Sequence, residues 1–530
     1  MTTRNLIRSG MLLAALLTVG AVSAQMEVPT ALRQAEAPRL QGRYAQALEL
    51  TGRLVAQAAD SGPARTERGL DYLARRDYES AQADFTEALK LQADQPLALA
   101  GRGAAYVALG KADLAGPDLD AAIKLATAAV TADGADYSAW EARALAYEVQ
   151  GKLVEALSDY GHALALQPQA AGLFSHRAWV FAAHGDTDFA IADFGRAMQL
   201  NPQLERALVG RGLAYTQKKD YAKALADFGQ AIKLDPQDAD AYNYRGAAHR
   251  EQGDPDAALV DFDQALQLQP QNAEALANRA DLQRTLHNDD AALADYTSLL
   301  LLQPQNVGAY EDRGNLYRTR GQFPEALADF TQALGLDPQS AYAHMERGWV
   351  YLQMRPAQAE AARADFAAAV QTEPKNPYAH NGLGFAYAAL GYYMFANEEY
   401  QAAVDADPKF AAGDYNIGET YSLFKDYPNA IDYYTRALVI DPKYAGAYMA
   451  RGLCYSALND FGHAIEDYTK ALELGPPIAL AYVNRGFAYM TKQLWAEARA
   501  DWERAVAMEP ESKEGQAAVK NLQHLTELGH

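Results

Sequence analysis

Arg211-Gly212-Leu213-Ala214-Tyr215, followed by Ala224, Asp227-Phe228, Ala231 and Pro236, is the stretch that decides the fold, because the chain repeats it every 34 residues. The same order returns at Arg313-Gly314, Tyr317, Ala326, Asp329-Phe330, Ala333 and Pro338, and again at Arg485-Gly486, Tyr489, Ala498, Asp501-Trp502 and Ala505. Prolines 168, 202, 236, 270, 304 and 338 keep the step, and after a slip of two residues 374, 408, 442, 476 and 510 keep it again. A period of this length without any strand pattern reads as a stack of helical pairs. One pair cannot bury its own apolar side, so the pairs form one elongated domain rather than several globular ones.

Within each unit two helical patterns flank a short turn. In the unit that begins at Glu205, Leu208, Gly212 and Tyr215 share a face of the first helix (helix A), and Ala224, Phe228 and Ala231 share a face of the second (helix B). Gly110, Gly151, Gly185, Gly253, Gly321 and Gly391 stand at equivalent turns, where a helix end entering the left-handed region favours glycine. Asp238, Asn272, Asn306, Ser340 and Asn376 follow the repeat proline by two residues and are predicted N-caps. Helix B opens on a small residue, such as Ala81, Ala224 or Ala498, with a large ring four residues on, as in Phe85, Phe228 and Trp502. Close helices leave room for a methyl group, and the ring fills the space between pairs.

This pattern resembles the tetratricopeptide repeat family, whose helix–turn–helix unit has Gly, Tyr, Ala, an aromatic, Ala and Pro at these offsets. About thirteen repeats span 62–512. The resemblance implies an all-α, right-handed superhelical solenoid of such hairpins that binds a protein or peptide partner along the groove lined by the helices A. Two departures are visible. The second repeat has about seven extra residues around Ala126 to Asp133, and the ninth has two near Arg355-Pro356. Residues 25–61 read as an N-terminal helical segment and a degenerate repeat, with a helix from Gln41 to Leu54 and Ala47 at the alanine position. Residues 513–530 read as a polar capping helix.

Internal copies also covary. Eleven repeats have Arg before the helix A glycine position and Asp before the helix B ring, while the two with Leu383 and Ile417 in place of Arg have Glu399 and Tyr433 in place of Asp. A pair from helix A to helix B within each repeat is expected.

The first 24 residues read as a cleavable export signal. Arg4 and Arg8 precede a short apolar run, and Val22-Ser23-Ala24 offers small residues for cleavage. The uncharged stretch 9–24 is short for a bilayer span, so no stable membrane insertion is expected after cleavage. A bacterial periplasmic or secreted protein is the expectation. Cys454 is the only cysteine, so no internal disulfide forms.

The formal net charge of −21 argues against nucleic-acid binding. The histidines form no HExxH or other metal spacing, no phosphate-binding glycine loop stands outside the repeat, and no segment is left for a catalytic domain. The expectation is a non-enzymatic scaffold without cofactor or metal. The family's groove positions, carried over by register, place Arg250, Arg284 and Arg318 in one ladder. They then collect Tyr342, Met345, Trp349, Tyr378, Phe385, Tyr415, Met449 and Phe487, with Trp179 as an earlier outlier. Aromatic, Met and Arg side chains anchor interfaces. The Lys and Asn clamp by which some family members hold a carboxylate is not matched, since the stripe has no Lys. Assembly of an envelope or secreted complex is the expected setting, with guidance of an exported polysaccharide as the alternative.

Overall fold

The computed structural model describes residues 28–529, and the expected export signal with its cut at Val22-Ser23-Ala24 lies outside the described residues. Among the described residues there are helices and turns and no strand. They divide after Leu282 into two compact units.

The hairpin is the same device in both units. Phe228 of helix Tyr221–Leu234 is fully buried against helix Glu205–Gln217. A Cβ added at Gly212 would lie 2.7 Å from that ring. In the second unit Phe366 is held from both sides, since added Cβ atoms at Gly348 and Gly382 would stand 2.9 and 2.2 Å from it. A methyl group there would displace a core ring, so the glycines belong to packing rather than to turns. The turns use Gly185 and Gly253 at φ of 95° and 91°, but Lys219 and Asn459 take the same left-handed place at 60° and 62°. The predicted caps form: Asp238 accepts from the amide of Asp240 at 2.9 Å, Asn306 from Ala309 at 3.0 Å and Ser340 from Ala343 at 3.1 Å.

The predicted Arg–Asp pair is seen in each of the ten repeats whose two residues fall within one unit. In each of the ten, Nε and Nη2 of the guanidinium donate to the two carboxylate oxygens at 2.6 to 2.9 Å. The remaining nitrogen reaches the previous helix B in several repeats, as Arg451 does to Thr435 at 2.9 Å and Arg485 to Thr469 at 3.0 Å. One residue therefore ties its own hairpin and the one before it. In one of the two repeats without the pair, Ile417 is buried with Tyr433 packed beside it, an apolar exchange for the charged couple.

In the first unit, six hairpins from helix Gly62–Ala74 to helix Pro255–Leu268 follow an N-terminal pair, Val28–Leu40 with Tyr44–Gln57. The helix expected from Gln41 starts at Tyr44, because Gly42 at φ 71° turns the chain first. The extra residues of the second repeat lengthen its helix B to Ala112–Ala132. Helices Pro96–Ala108 and Tyr137–Val149 then lie directly along one another, and the first three hairpins share one core from Leu70 to Ala146.

The second unit stacks the hairpins from helix Val307–Thr319 to helix Trp495–Met508 and closes with helix Lys513–Glu527. Ala518 and Leu525 of that last helix cover Trp502 and Ala505, while its other side stays polar.

Candidate interaction surface

Helix A is pinned to helix B by the Arg–Asp pair, which turns residues one and four positions after its glycine, and three and six before it, to the opposite side. In the second unit this stripe collects rings. Tyr378 is 64% exposed, Phe487 45% and Phe385 38%, and Tyr342 is also exposed. Met345, Trp349, Tyr415 and Met449 are half-buried. Trp349 stands edge-on to core Phe366 at 5.1 Å and to Phe385 at 5.5 Å, and Phe385 continues to Tyr400 at 5.8 Å. Tyr415 tilts over Tyr444 at 4.9 Å, and Tyr378 meets Phe410 edge-on at 5.2 Å. The inner edges of these rings belong to the core and their outer faces to the surface. Their positions are therefore set before any partner arrives, which lowers the ordering cost of binding. Burial, then Glu346, Asp312 and Glu311, pushes the Tyr342 phenol up to about 12, so it stays neutral, and its hydroxyl accepts from the Asn315 amide at 3.2 Å. Glu419 interrupts the apolar run and accepts a hydrogen bond from Tyr434 at 2.6 Å.

The arginine ladder is engaged with its own chain. Arg250 donates to Asn278 at 3.3 Å, Arg284 lies 4.0 Å from Asp312, and Arg318 pairs with Glu346 at 2.8 Å. Each reaches 28 residues forward, to the next helix A. Sequence reading singled out the arginines but not their acceptors, although the fixed spacing is visible once the contact is known.

In the first unit the same stripe is covered by the N-terminal pair. Arg39, 6% exposed, donates to Glu67 at 2.7 Å and to Glu141 at 2.7 and 3.2 Å. Glu141 occupies a stripe position of the third hairpin, and Glu67 stands beside the stripe of the first, directly before Arg68. Burial works against the charged guanidinium, and the two carboxylates more than reverse it, so Arg39 is held well above its usual range. The Tyr44 hydroxyl and the Arg39 carbonyl both approach Gly172, and a Cβ there would lie 3.3 Å from each. Farther along, Arg76 pairs with Asp240. Burial, with Asp238 beside it, pushes the Glu205 carboxyl up to about 8. Burial, with Arg206 and Arg39 nearby, drives His176 down to about 3, so it is neutral and its approach to Glu148 is no ion pair. Trp179 is half-buried here, edge-on to Phe194 at 5.5 Å and beneath Arg206. Of the twelve candidate residues it and Arg250 lie in the first unit. No sequence signal marked Arg39, because helix Val28–Leu40 lies outside the period.

Among the described residues no helix is long and apolar enough to cross a membrane, and no group of three or more His, Cys, Asp or Glu is placed to hold a metal ion.

Models described as TPR repeat or tetratricopeptide repeat match 66–171, 212–272, 311–377 and 383–476 in overlapping segments. Comparison with curated proteins finds no match. Among solved structures, the chain is similar to the APC/C hetero-tetramer Cut9-Hcn1 at 15% identity, covering 88% of this chain and 97% of that one with a TM-score of 0.43. Yeast Tom70 is similar at 17% identity over 82% and 96%, TM-score 0.38. A tetratricopeptide repeat protein from Parabacteroides merdae is similar at 21% identity over 47% and 98%, TM-score 0.35. Identity this low carries nothing about partners.

Proposed function

The chain belongs to the tetratricopeptide repeat family, and from that premise we propose an exported, non-enzymatic scaffold that holds a protein or peptide partner on the helix A stripe of its second unit. Proteins of this family generally bind protein partners and are generally non-catalytic scaffolds. The observation that carries the reading is the run of rings from Tyr342 to Phe487, core on one edge and water on the other. Apolar surface of that extent usually marks an interaction site. The stripe's rings and thioethers fit apolar side chains of an extended or helical segment, and neutral Tyr342 offers it a hydrogen bond.

Export to a bacterial periplasm or medium, and a part in assembling an envelope or secreted complex, rest on the residues of 1–24 and on the fit of a scaffold to that setting. The experiment is to crosslink the protein in its native envelope, identify what is joined, and repeat with Trp349→Ala and Phe385→Ala. Loss of one crosslinked protein in both variants supports the reading. Retention on a glycan column that both variants abolish would replace it with the polysaccharide alternative, since exposed rings also stack on sugars. N-terminal sequencing of the native protein should begin at Gln25, and an intact Met1 in membranes would overturn export with cleavage.

A further inference from the structure

The hairpin Ala411–Leu423 with Tyr427–Ile440 breaks the most regular feature of the chain, and a cleft opens where it does so. In the two hairpins that follow it the guanidinium sits between three partners. Arg451 clasps Asp467, reaches Thr435 sixteen residues back, and lies 5.9 Å over the ring of Tyr455 four residues on. Arg485 does the same with Asp501, Thr469 and Tyr489. The corresponding positions in the exceptional hairpin are Ile417 for Arg, Tyr433 for Asp, Gln401 for Thr and Tyr421 for Tyr. Those four residues line an open cleft of about 400 Å³, and Glu398 and Asp405 stand on its wall.

The lining carries two carboxylates and no basic side chain. Gln401 donates to Asp405 at 2.9 Å and orients that carboxylate. Tyr421 and Tyr433 stack at 5.4 Å and 14°. Arg436 lies 4.8 Å over Tyr433 and is bound to Asp414 at 3.1 Å. A planar cation meets both of its preferences here, an aromatic edifice to lie against and carboxylates to receive its N–H groups.

We propose that this cleft is a docking site for an arginine side chain of a partner polypeptide, which supplies in trans the guanidinium that this repeat lacks. The head group lies along the Tyr421–Tyr433 pair and donates to Glu398 and Asp405. The cleft is on other positions of the helices than the aromatic stripe, so the two sites are separable by mutation.

The test is calorimetric titration of the full chain with acetyl-Gly-Arg-Gly-amide and with the citrulline peptide, which has the same shape without the charge. Binding at roughly millimolar strength, at least about fivefold weaker for citrulline, is expected for one exposed cation–aromatic contact with carboxylate acceptors. Ile417→Arg with Tyr433→Asp restores the pair of the neighbouring repeats, leaves the net charge unchanged and fills the cleft. It should reduce the arginine peptide's affinity by about fivefold or more. Glu398→Gln with Asp405→Asn alters only exposed side chains and should do the same. If the filled variant misfolds by circular dichroism, the carboxylate variant decides alone. Equal binding of citrulline, no binding by the wild type, or undiminished binding in a folded variant overturns the proposal.

Discussion

The two units are built from one repeat and present opposite stripes. In the first, helix Val28–Leu40 lies across the helices A, and a buried guanidinium, Arg39, is shared by Glu67 and Glu141. In the second the stripe carries Tyr378, Phe385 and Phe487, all open to water. The difference teaches that the repeat dictates a surface but not its use. A charged stripe is stable when the chain's own residue neutralises it, whereas an aromatic stripe without a cover stays available. The frame beneath is shared: the Arg–Asp clasp has the same geometry at Arg211 and at Arg451.

The largest expected effect is on the covered stripe. Arg39→Leu leaves two carboxylates buried without their cation, and removing one partner of a buried ion group costs about 3–5 kcal/mol. Hydrogen exchange should show the first unit opening sooner and the second unchanged. A loss below about 1 kcal/mol would mean that Arg39 does not anchor the N-terminal pair, since a group so placed exceeds the value of a surface ion pair.

Next comes the shared frame. Arg211→Leu and Arg451→Leu should each cost about 2–3 kcal/mol locally, the range for hydrogen bonds to a charged group, and to a similar extent in the two units. Arg211→Ile with Asp227→Tyr copies the Ile417–Tyr433 exchange and should recover most of the loss. Additive effects in that double-mutant cycle would mean the two residues are not energetically coupled. Unequal losses at Arg211 and Arg451 would show that the units differ in frame as well as in surface.

Binding should separate the units again. Trp349→Ala and Phe385→Ala are expected to weaken partner binding by about 2 kcal/mol each with helical content nearly unchanged, as truncations of interface anchors do. Trp179→Ala, in the covered stripe, should leave binding intact and lower the stability of the first unit. Reversal of that pattern would move the site to the first unit.

The smallest effect is pH dependence. Burial pushes the carboxyls of Glu36 up to about 7 and of Asp71 up to about 8, and Glu205 up to about 8. Unfolded, these groups lose their protons near pH 4, so between about pH 4 and 8 the folded state binds more protons and stability falls as pH rises. In the second unit Asp365 goes the other way: burial is outweighed by hydrogen bonds from Arg347 and His344, and its carboxyl lies below the usual range. Exchange protection of helix Val28–Leu40, corrected for the intrinsic rate, should therefore be greater at pH 5 than at pH 8, with less change in the second unit. Equal protection at both pH values would mean that these carboxyls are not raised.

Much of this was legible beforehand because its causes recur at fixed separations. Helix A, turn and helix B follow from the small residue, the ring and the left-handed turn, and the Arg–Asp clasp from covariation among internal copies. What was not legible lacked a period. Helix Val28–Leu40 carries few apolar residues and includes Pro38, so nothing local announces that it is buried. The stripe residues could be placed on one side of helix A by register, but their exposure could not, because it depends on the neighbours that a distant segment does or does not supply.

The sequence alone determined the helices, the hairpin and the clasp, since each joins residues within one repeat or the next. Only the tertiary structure decided which stripe is closed and which is open. That turns on contacts such as Arg39 with Glu141, 102 residues apart, and Arg76 with Asp240, 164 apart. Their partners are brought together by the accumulated geometry of the stack between them, which no single repeat encodes.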